Sequence, residues 1–286
     1  MKYAVCNELF INYRFRDSCH LIAKYGFTGI EIAPYTLAKN PQNISYRKIK
    51  EIKNVLNDTG VQFVGFHHLL KAPRGFHLTV PDNSIRKKSW SFLKFLIEIC
   101  KELGGNIMVL GSSKQRNAAG ISKEKTTSIF KEGLKDIAPF AEKMGVKILI
   151  EVLPSRVSNI INTLQEAKGL IYEVGNLSIS GMFDFHNCED EGKLWHNLIY
   201  DYSDIIKHVH LNEIDGNYPG KGRSDFFRTF KALKEKSYNG WISLEIFHFD
   251  DSPEIILSNT KKFILEIEKR LNNYLFLNKQ INKDKI

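Results

Sequence analysis

Cysteine is scarce in this chain. Four cysteines occur in 286 residues, Cys6, Cys19, Cys100 and Cys188, far apart and with no CxxC pair. That spacing argues against a cysteine metal site, and reduced thiols are the expectation. Long apolar runs are missing too. No window reaches the roughly 18 uninterrupted apolar residues that a membrane span needs, and the opening MKYAVCNELF lacks the apolar stretch of a signal peptide. No block of about five or more like charges stands out, and no low-complexity linker divides the chain. The net charge of +9 would permit nucleic acid or an acidic substrate as partner. The lysines, however, are scattered along helical segments and read as solvated faces. A soluble cytoplasmic protein is expected, with neither a membrane nor a nucleic acid as partner. A hydrophobic content of 43% is ordinary for a globular chain and supplies a sizeable core.

Short apolar runs alternate with helix-period stretches. Strands are expected at 3–5, 29–33, 61–66, 106–111, 147–152, 177–184, 207–212 and 241–247, several of them β-branched-rich as buried parallel strands are. Helices are expected near 17–25, 44–58, 83–103, 122–144, 159–173, 193–205, 224–237 and 253–273. Ser122 and the Asp82-Asn83-Ser84 run read as N-caps, and Gly26, Gly60, Gly104 and Gly145 stand just before the following strands. Alternation of this kind is the pattern of an α/β fold, a single-domain (β/α)8 or TIM barrel over 1–273. A doubly wound open sheet is the alternative, but it usually needs a glycine-rich loop after its first strand, and "CNELFIN" has no glycine. Residues 274–286 lose helical regularity and read as a loose tail or an oligomer contact.

A barrel places its chemistry at the C-terminal ends of its strands. Read there, the sequence shows Glu31 on the second strand, His67-His68 after the third, Glu151 on the fifth, Asp184 with His186 on the sixth, His208 and His210 on the seventh, and Glu245 on the eighth. Charged groups in apolar strands are costly unless paired or metal-bound. A bound dication satisfies three buried carboxylates at once, which favours a metal over a purely structural polar cluster. Two glutamates, one aspartate and one histidine form a mostly oxygen donor set. It suits one divalent ion, Mn2+ first, with Mg2+ or Co2+ also compatible and Zn2+ less so.

Strand parity separates the two histidines of "KHVHLNE". His208, His210 and Asn212 share one face, Val209 and Leu211 the other. His210, nearer the strand end, is the expected ligand, and His208 its buried support. The same parity puts Leu149 beneath Glu151, Met182 beneath Asp184 and Ser243 beneath Glu245.

At these positions the chain resembles a known family. Glu151 in "ILIEV", Asp184 in "MFDFH", His210 in "HVHLNE" and Glu245 in "WISLEIF" match, in order and spacing, the Glu-Asp-His-Glu metal set of the xylose-isomerase-like TIM barrels. Within that superfamily the chain is most similar to the sugar (phosphate) isomerase/epimerase group, which includes the tagatose- and psicose-type ketose 3-epimerases. "GIEIAP" and "PGKGRSDF" are also typical of the group, and the likeness covers roughly residues 1–270. The resemblance implies a metal-dependent isomerase or epimerase. Glu151 and Glu245 would be ligands as well as acid/base groups on opposite faces of a sugar or sugar phosphate, acting through a metal-stabilised enediolate. Asp184 and His210 would be ligands only, and dimers or tetramers are common in the group.

The chain also departs from that pattern. No carboxylate follows Glu151 in "EVLPSRVSN". His186 stands two residues after Asp184 where the ketose epimerases tend to place a histidine at the third, here Asn187. The arginine they place soon after the seventh-strand histidine is absent, and Arg223 comes only later. The sugar-handling residues therefore differ. Glu31, His67, His186 and Arg223 are candidates to touch substrate, each against an ordinary structural role. Lys114 and Arg116 in "GSSKQRN" are candidates to hold a phosphate or carboxylate, against a solvated loop. A dehydratase or lyase of the inosose type could use the same metal set. An apurinic-site endonuclease of the superfamily would need more histidines, including one in the loop after the seventh strand, where "GKGRSDF" has none.

Overall fold

Strands with apolar residues on both sides are stable where helices cover the outer side and the strands' own side chains fill the inner one. A closed parallel barrel meets that condition. The computed structural model describes residues 1–283, with side chains through residue 276. The strands are β1 (Lys2–Cys6), β2 (Gly29–Ile32), β3 (Gln62–Phe66), β4 (Ile107–Leu110), β5 (Lys147–Ile150), β6 (Ile179–Asp184), β7 (Ile206–Leu211) and β8 (Trp241–Leu244). They pair in chain order, and β8 closes on β1. The principal helices follow in turn: α1 (Phe15–Lys24), α2 (Tyr46–Thr59), α3 (Asn83–Glu102), α4 (Lys123–Met144), α5 (Leu164–Val174), α6 (Trp195–Tyr202), α7 (Phe226–Glu235) and α8 (Pro253–Lys283).

Helix starts are set by side chains that take up otherwise orphaned backbone donors. Asp82 accepts from the N–H groups of Ser84 and Ile85, Ser122 from Lys125, and Thr163 from Glu166. Gly145, at φ 69°, ends α4 in a left-handed turn that a residue with a Cβ resists.

Two cores result. The larger lies between barrel and helices. The smaller lies inside the barrel, where Ala4, Val64, Ile107, Val109, Leu149 and Met182 pack together against half-buried Trp241. Leu149 and Met182 stand two residues before Glu151 and Asp184, so this apolar layer supports the polar one, as strand parity predicts. A register shift between β6 and β7, near Gly181–Phe183, brings Asp184 level with His210. Shifts of this kind re-aim side chains next to functional sites.

Some boundaries differ from the sequence reading. β5 and β8 end at Ile150 and Leu244, so Glu151 and Glu245 are the first residues beyond the ladder rather than within it. α5 begins at Leu164, not near 159, because the Asn162 side chain ties the preceding loop by donating to the carbonyls of Leu153 and Ser158, each at 2.7 Å. α8 continues past 273 through Lys283; no glycine or proline follows Pro253 to end it. The rest of the expected tail, 284–286, lies outside the described residues.

Candidate metal centre and active-site cavity

Four strand ends deliver Glu151, Asp184, His210 and Glu245 to one buried point. One donor atom from each lies within 4.8 Å of the others. His210 Nδ1 is 2.9 Å from Glu245 Oε2, 3.8 Å from Glu151 Oε1 and 3.9 Å from Asp184 Oδ2. The same Nδ1 is buried and has no aligned hydrogen bond, despite the short approach of Glu245. A nitrogen facing three carboxylates without a hydrogen-bond partner is the arrangement a cation completes, and the donor set is that of a hard divalent ion. Burial, with the Glu245 and Glu151 charges beside it, pushes the Asp184 carboxyl well above its ordinary range. A dication among these groups would reverse that pressure. The residues present therefore fit a divalent metal.

The other ring nitrogen explains how His210 is aimed. Its Nε2 lies 3.1 Å from Glu31 Oε1, and His208 Nε2 lies 2.8 Å from Glu31 Oε2. All three side chains are fully buried. Burial alone would push the Glu31 carboxyl up; the facing His208 and His210 outweigh it and hold it well below the usual carboxylate range. A carboxylate accepts only, so it draws the proton of His210 to Nε2 and leaves the Nδ1 lone pair toward the cluster. His208 thus supports His210 both through Glu31 and by edge-on packing of the two rings, whose centroids lie 5.1 Å apart. Glu31 itself does not line the cavity, which corrects the reading of it as a sugar contact.

Two further groups shape the cluster. Asn187 Nδ2 donates to Asp184 Oδ2 at 2.8 Å and to Glu151 Oε1 at 3.2 Å. Gly111, at the end of β4, leaves the space Glu151 occupies: a Cβ there would lie 2.0 Å from Glu151 Oε2.

Above the cluster opens a cavity of about 650 Å3. Glu151 and Glu245 lie at its floor, and His68, Lys114, His186 and Phe247 are among its walls. His186 Nδ1 lies 2.7 Å from the Ile214 carbonyl oxygen, and its ring lies 4.9 Å from that of Phe247. Lys114 and His186, two of the residues proposed to touch substrate, thus line this cavity.

Three candidates do not. Arg116 is buried beneath the wall, donating through Nη2 to the Glu151 carbonyl at 2.6 Å and through Nη1 to the Leu110 carbonyl at 3.3 Å. Burial draws its pKa down to about 10, so it stays charged, but it clamps the ends of β4 and β5 and does not face an anion. His67 is buried against Glu8 Oε2 at 2.8 Å, and its neighbour His68, at φ 47°, turns into the cavity instead. Arg223 is exposed on the loop after β7, away from the cavity lining. Glu213 and Asp215 order that loop: Glu213 Oε1 accepts from the N–H groups of Gly220 and Gly222.

Glu8, which follows the end of β1 in "CNELF" and meets His67, carries little sequence signal, because it lies two residues past its strand in a short helical turn. The signal for Asn187 was its place three residues after Asp184. Gly111 carried no signal beyond ending a strand.

A closed (β/α)8 barrel with a candidate divalent-metal centre beneath a cavity at its C-terminal mouth is the class that fold and site define. The chain belongs to the xylose isomerase-like TIM barrel family, whose profile matches residues 19–266. The D-psicose 3-epimerase of Agrobacterium fabrum is 29% identical over 116 residues, spanning 41% of this chain and 40% of that one. The 3-dehydro-D-guloside 4-epimerase of Escherichia coli is 22% identical over 254 residues, 86% of this chain and 92% of that one. The crystal structure of D-psicose 3-epimerase with D-tagatose from Clostridium cellulolyticum H10 aligns with a TM-score of 0.82 at 22% identity, covering 95% of this chain and 99% of that one.

Proposed function

We propose that this chain is a divalent-metal-dependent epimerase or isomerase of a sugar or sugar derivative. The observation that carries the reading is the pairing of Glu151 and Glu245, two cavity-floor carboxylates from strand ends three apart around the barrel, within one four-donor cluster. Sugar epimerases among the relatives support the same reading.

Glu151, Asp184, His210 and Glu245 would hold the metal, with manganese the ion the donor set favours. When bound, that ion would hold neighbouring substrate oxygens and offset negative charge developing on them. One glutamate accepts the proton from a substrate carbon beside a carbonyl, and the C–H electron pair moves toward the carbonyl oxygen. The other glutamate returns a proton to the opposite face of that carbon, inverting it. Return to the adjacent carbon would instead isomerise the sugar. Asp184 and His210 have no acid/base part. Asn187 fixes the inner oxygens of Glu151 and Asp184, so that the remaining carboxylate oxygen of Glu151 is free for the proton.

The test is exchange of a substrate carbon-bound proton with deuterated water. Purified protein should contain about one divalent ion per chain. Glu151→Gln and Glu245→Gln should each reduce exchange by about a hundredfold or more. Full exchange in either variant would sink the assignment.

A further inference from the structure

We infer that the substrate of this site carries an anionic substituent, a phosphate or a carboxylate, at its end remote from the four-donor cluster. The inference rests on the reading above and adds the charge of the substrate to it.

Acid and base are segregated along the cavity. Glu151 and Glu245 lie buried at its floor and, among the described residues, are the only carboxylates in its lining, whereas Lys71, Arg74 and Lys114 are exposed around it. A dication at the floor would offset most of the charge of the glutamates and Asp184. Lys71 is offset by Glu8, so Arg74 and Lys114 then decide the sign of the field that an entering molecule meets.

Among the described residues Arg74 and Lys114 have no ion pair and no side-chain hydrogen bond to another group. Some surface cations are paired, Lys53 with Glu102, Lys131 with Glu173 and Arg156 with Glu189, while others such as Lys50 and Lys143 are not paired among the described residues; what sets Arg74 and Lys114 apart is that both line one cavity. Lys71 is held rather than free. Its ammonium lies 3.2 Å from Glu8 Oε1 and 2.9 Å from the Tyr35 hydroxyl. Those two bonds fix its position and leave a third donor unused.

The wall between cations and floor is also built with unusual backbone. His68 and Ser112, at the ends of β3 and β4, both line the cavity, and both are non-glycine residues in left-handed conformation, at φ 47° and 44°. Ser112 Oγ is buried without a hydrogen-bond partner. Strain of this kind collects at ligand-holding positions, and the unpaired Arg74 guanidinium and Lys114 ammonium in the same lining suit an oxyanion.

The experiment uses the full-length, manganese-loaded protein in deuterated water with matched pairs of substrates. Ketoses are compared with their terminal phosphates, and aldoses with the corresponding uronic acids; the two arms separate phosphate from carboxylate. The expected result is kcat/KM for exchange higher by tenfold or more for one anionic series, with that ratio collapsing toward unity in the Arg74→Met/Lys114→Met double variant. Inorganic phosphate should inhibit the wild type competitively if the phosphate arm is the preferred one. Equal or better exchange of the neutral partners, or a ratio unmoved in the double variant, overturns the inference and leaves the epimerase reading standing. No exchange with any member, from protein shown to hold its metal, overturns both.

Discussion

Gly111 shows how one missing side chain permits a cluster. It stands where the β4 ladder ends, and the Glu151 carboxylate fills the space its Cβ would take. The nearest atoms belong to Glu151 alone, so Gly111→Ala should displace that carboxylate while leaving the barrel folded. Metal affinity should drop by about tenfold to a hundredfold, the usual effect of disturbing a ligand's surroundings. Calorimetric titration with Mn2+ measures it, and far-ultraviolet circular dichroism checks the fold. Wild-type affinity in this variant would mean that Glu151 has room to spare. Arg116 is the opposite case, a residue whose side chain is indispensable but silent. Its guanidinium joins the carbonyl ends of two strands. Replacing it with methionine leaves the Glu151 carbonyl without its donor, which costs about 1–3 kcal/mol for a buried group left unpaired, while the Leu110 carbonyl keeps the Glu151 N–H at 3.4 Å.

At the scale of elements, β2 and β7 meet across the barrel through Glu31, His208 and His210. Glu31→Gln keeps the shape but replaces one acceptor oxygen with an amide donor. It can then accept from only one of the two Nε2–H groups. The variant should weaken Mn2+ binding by about tenfold to a hundredfold. It should also shift the 15N resonances of His210 toward a mixture of tautomers, a change that simple loosening of the core would not produce. Unchanged resonances together with unchanged affinity would remove Glu31 from the site. This network also marks the limit of what the sequence makes legible. Eight apolar runs with caps and glycines between them made the barrel readable, because burial on both faces of a parallel strand leaves a local signature. Glu151, Asp184, His210 and Glu245 were readable because burying an acid or imidazole at the end of such a run is costly unless a partner or a metal satisfies it. The partners of those residues were not. Glu31 and His208 are 177 residues apart and meet only once the barrel closes. Whether a polar residue at a strand end faces the cavity or a neighbour depends on that closure. Glu31, His67 and Arg116 therefore read as substrate contacts but lie packed behind the wall. Of the same group, Lys114 and His186 do reach it.

For the whole molecule, the cluster is a site of conflict that the proposed metal resolves. Three carboxylates share one buried point, and Asp184 bears the conflict, its acid form favoured by burial and by the Glu245 and Glu151 charges. A carboxyl whose folded pKa lies above its unfolded value destabilises the folded protein in its ionised form, an effect that grows as pH rises past the unfolded pKa toward neutrality. Metal binding should therefore raise the melting temperature strongly. At a hundredfold excess over Kd the linkage is about 2.7 kcal/mol, or about 4–5 °C for a chain of this size. EDTA should remove the increment. Asp184→Asn separates the two contributions because it acts on them with opposite signs. It removes a repelled charge, so the metal-free variant should melt no lower than the metal-free wild type. It also removes a ligand, so added Mn2+ should no longer raise its melting temperature by more than a degree or so. Scanning calorimetry of both proteins, with and without Mn2+, measures all four values. A metal-free variant less stable than wild type that still gained the full increment from Mn2+ would show that Asp184 stabilises the barrel and does not hold the ion.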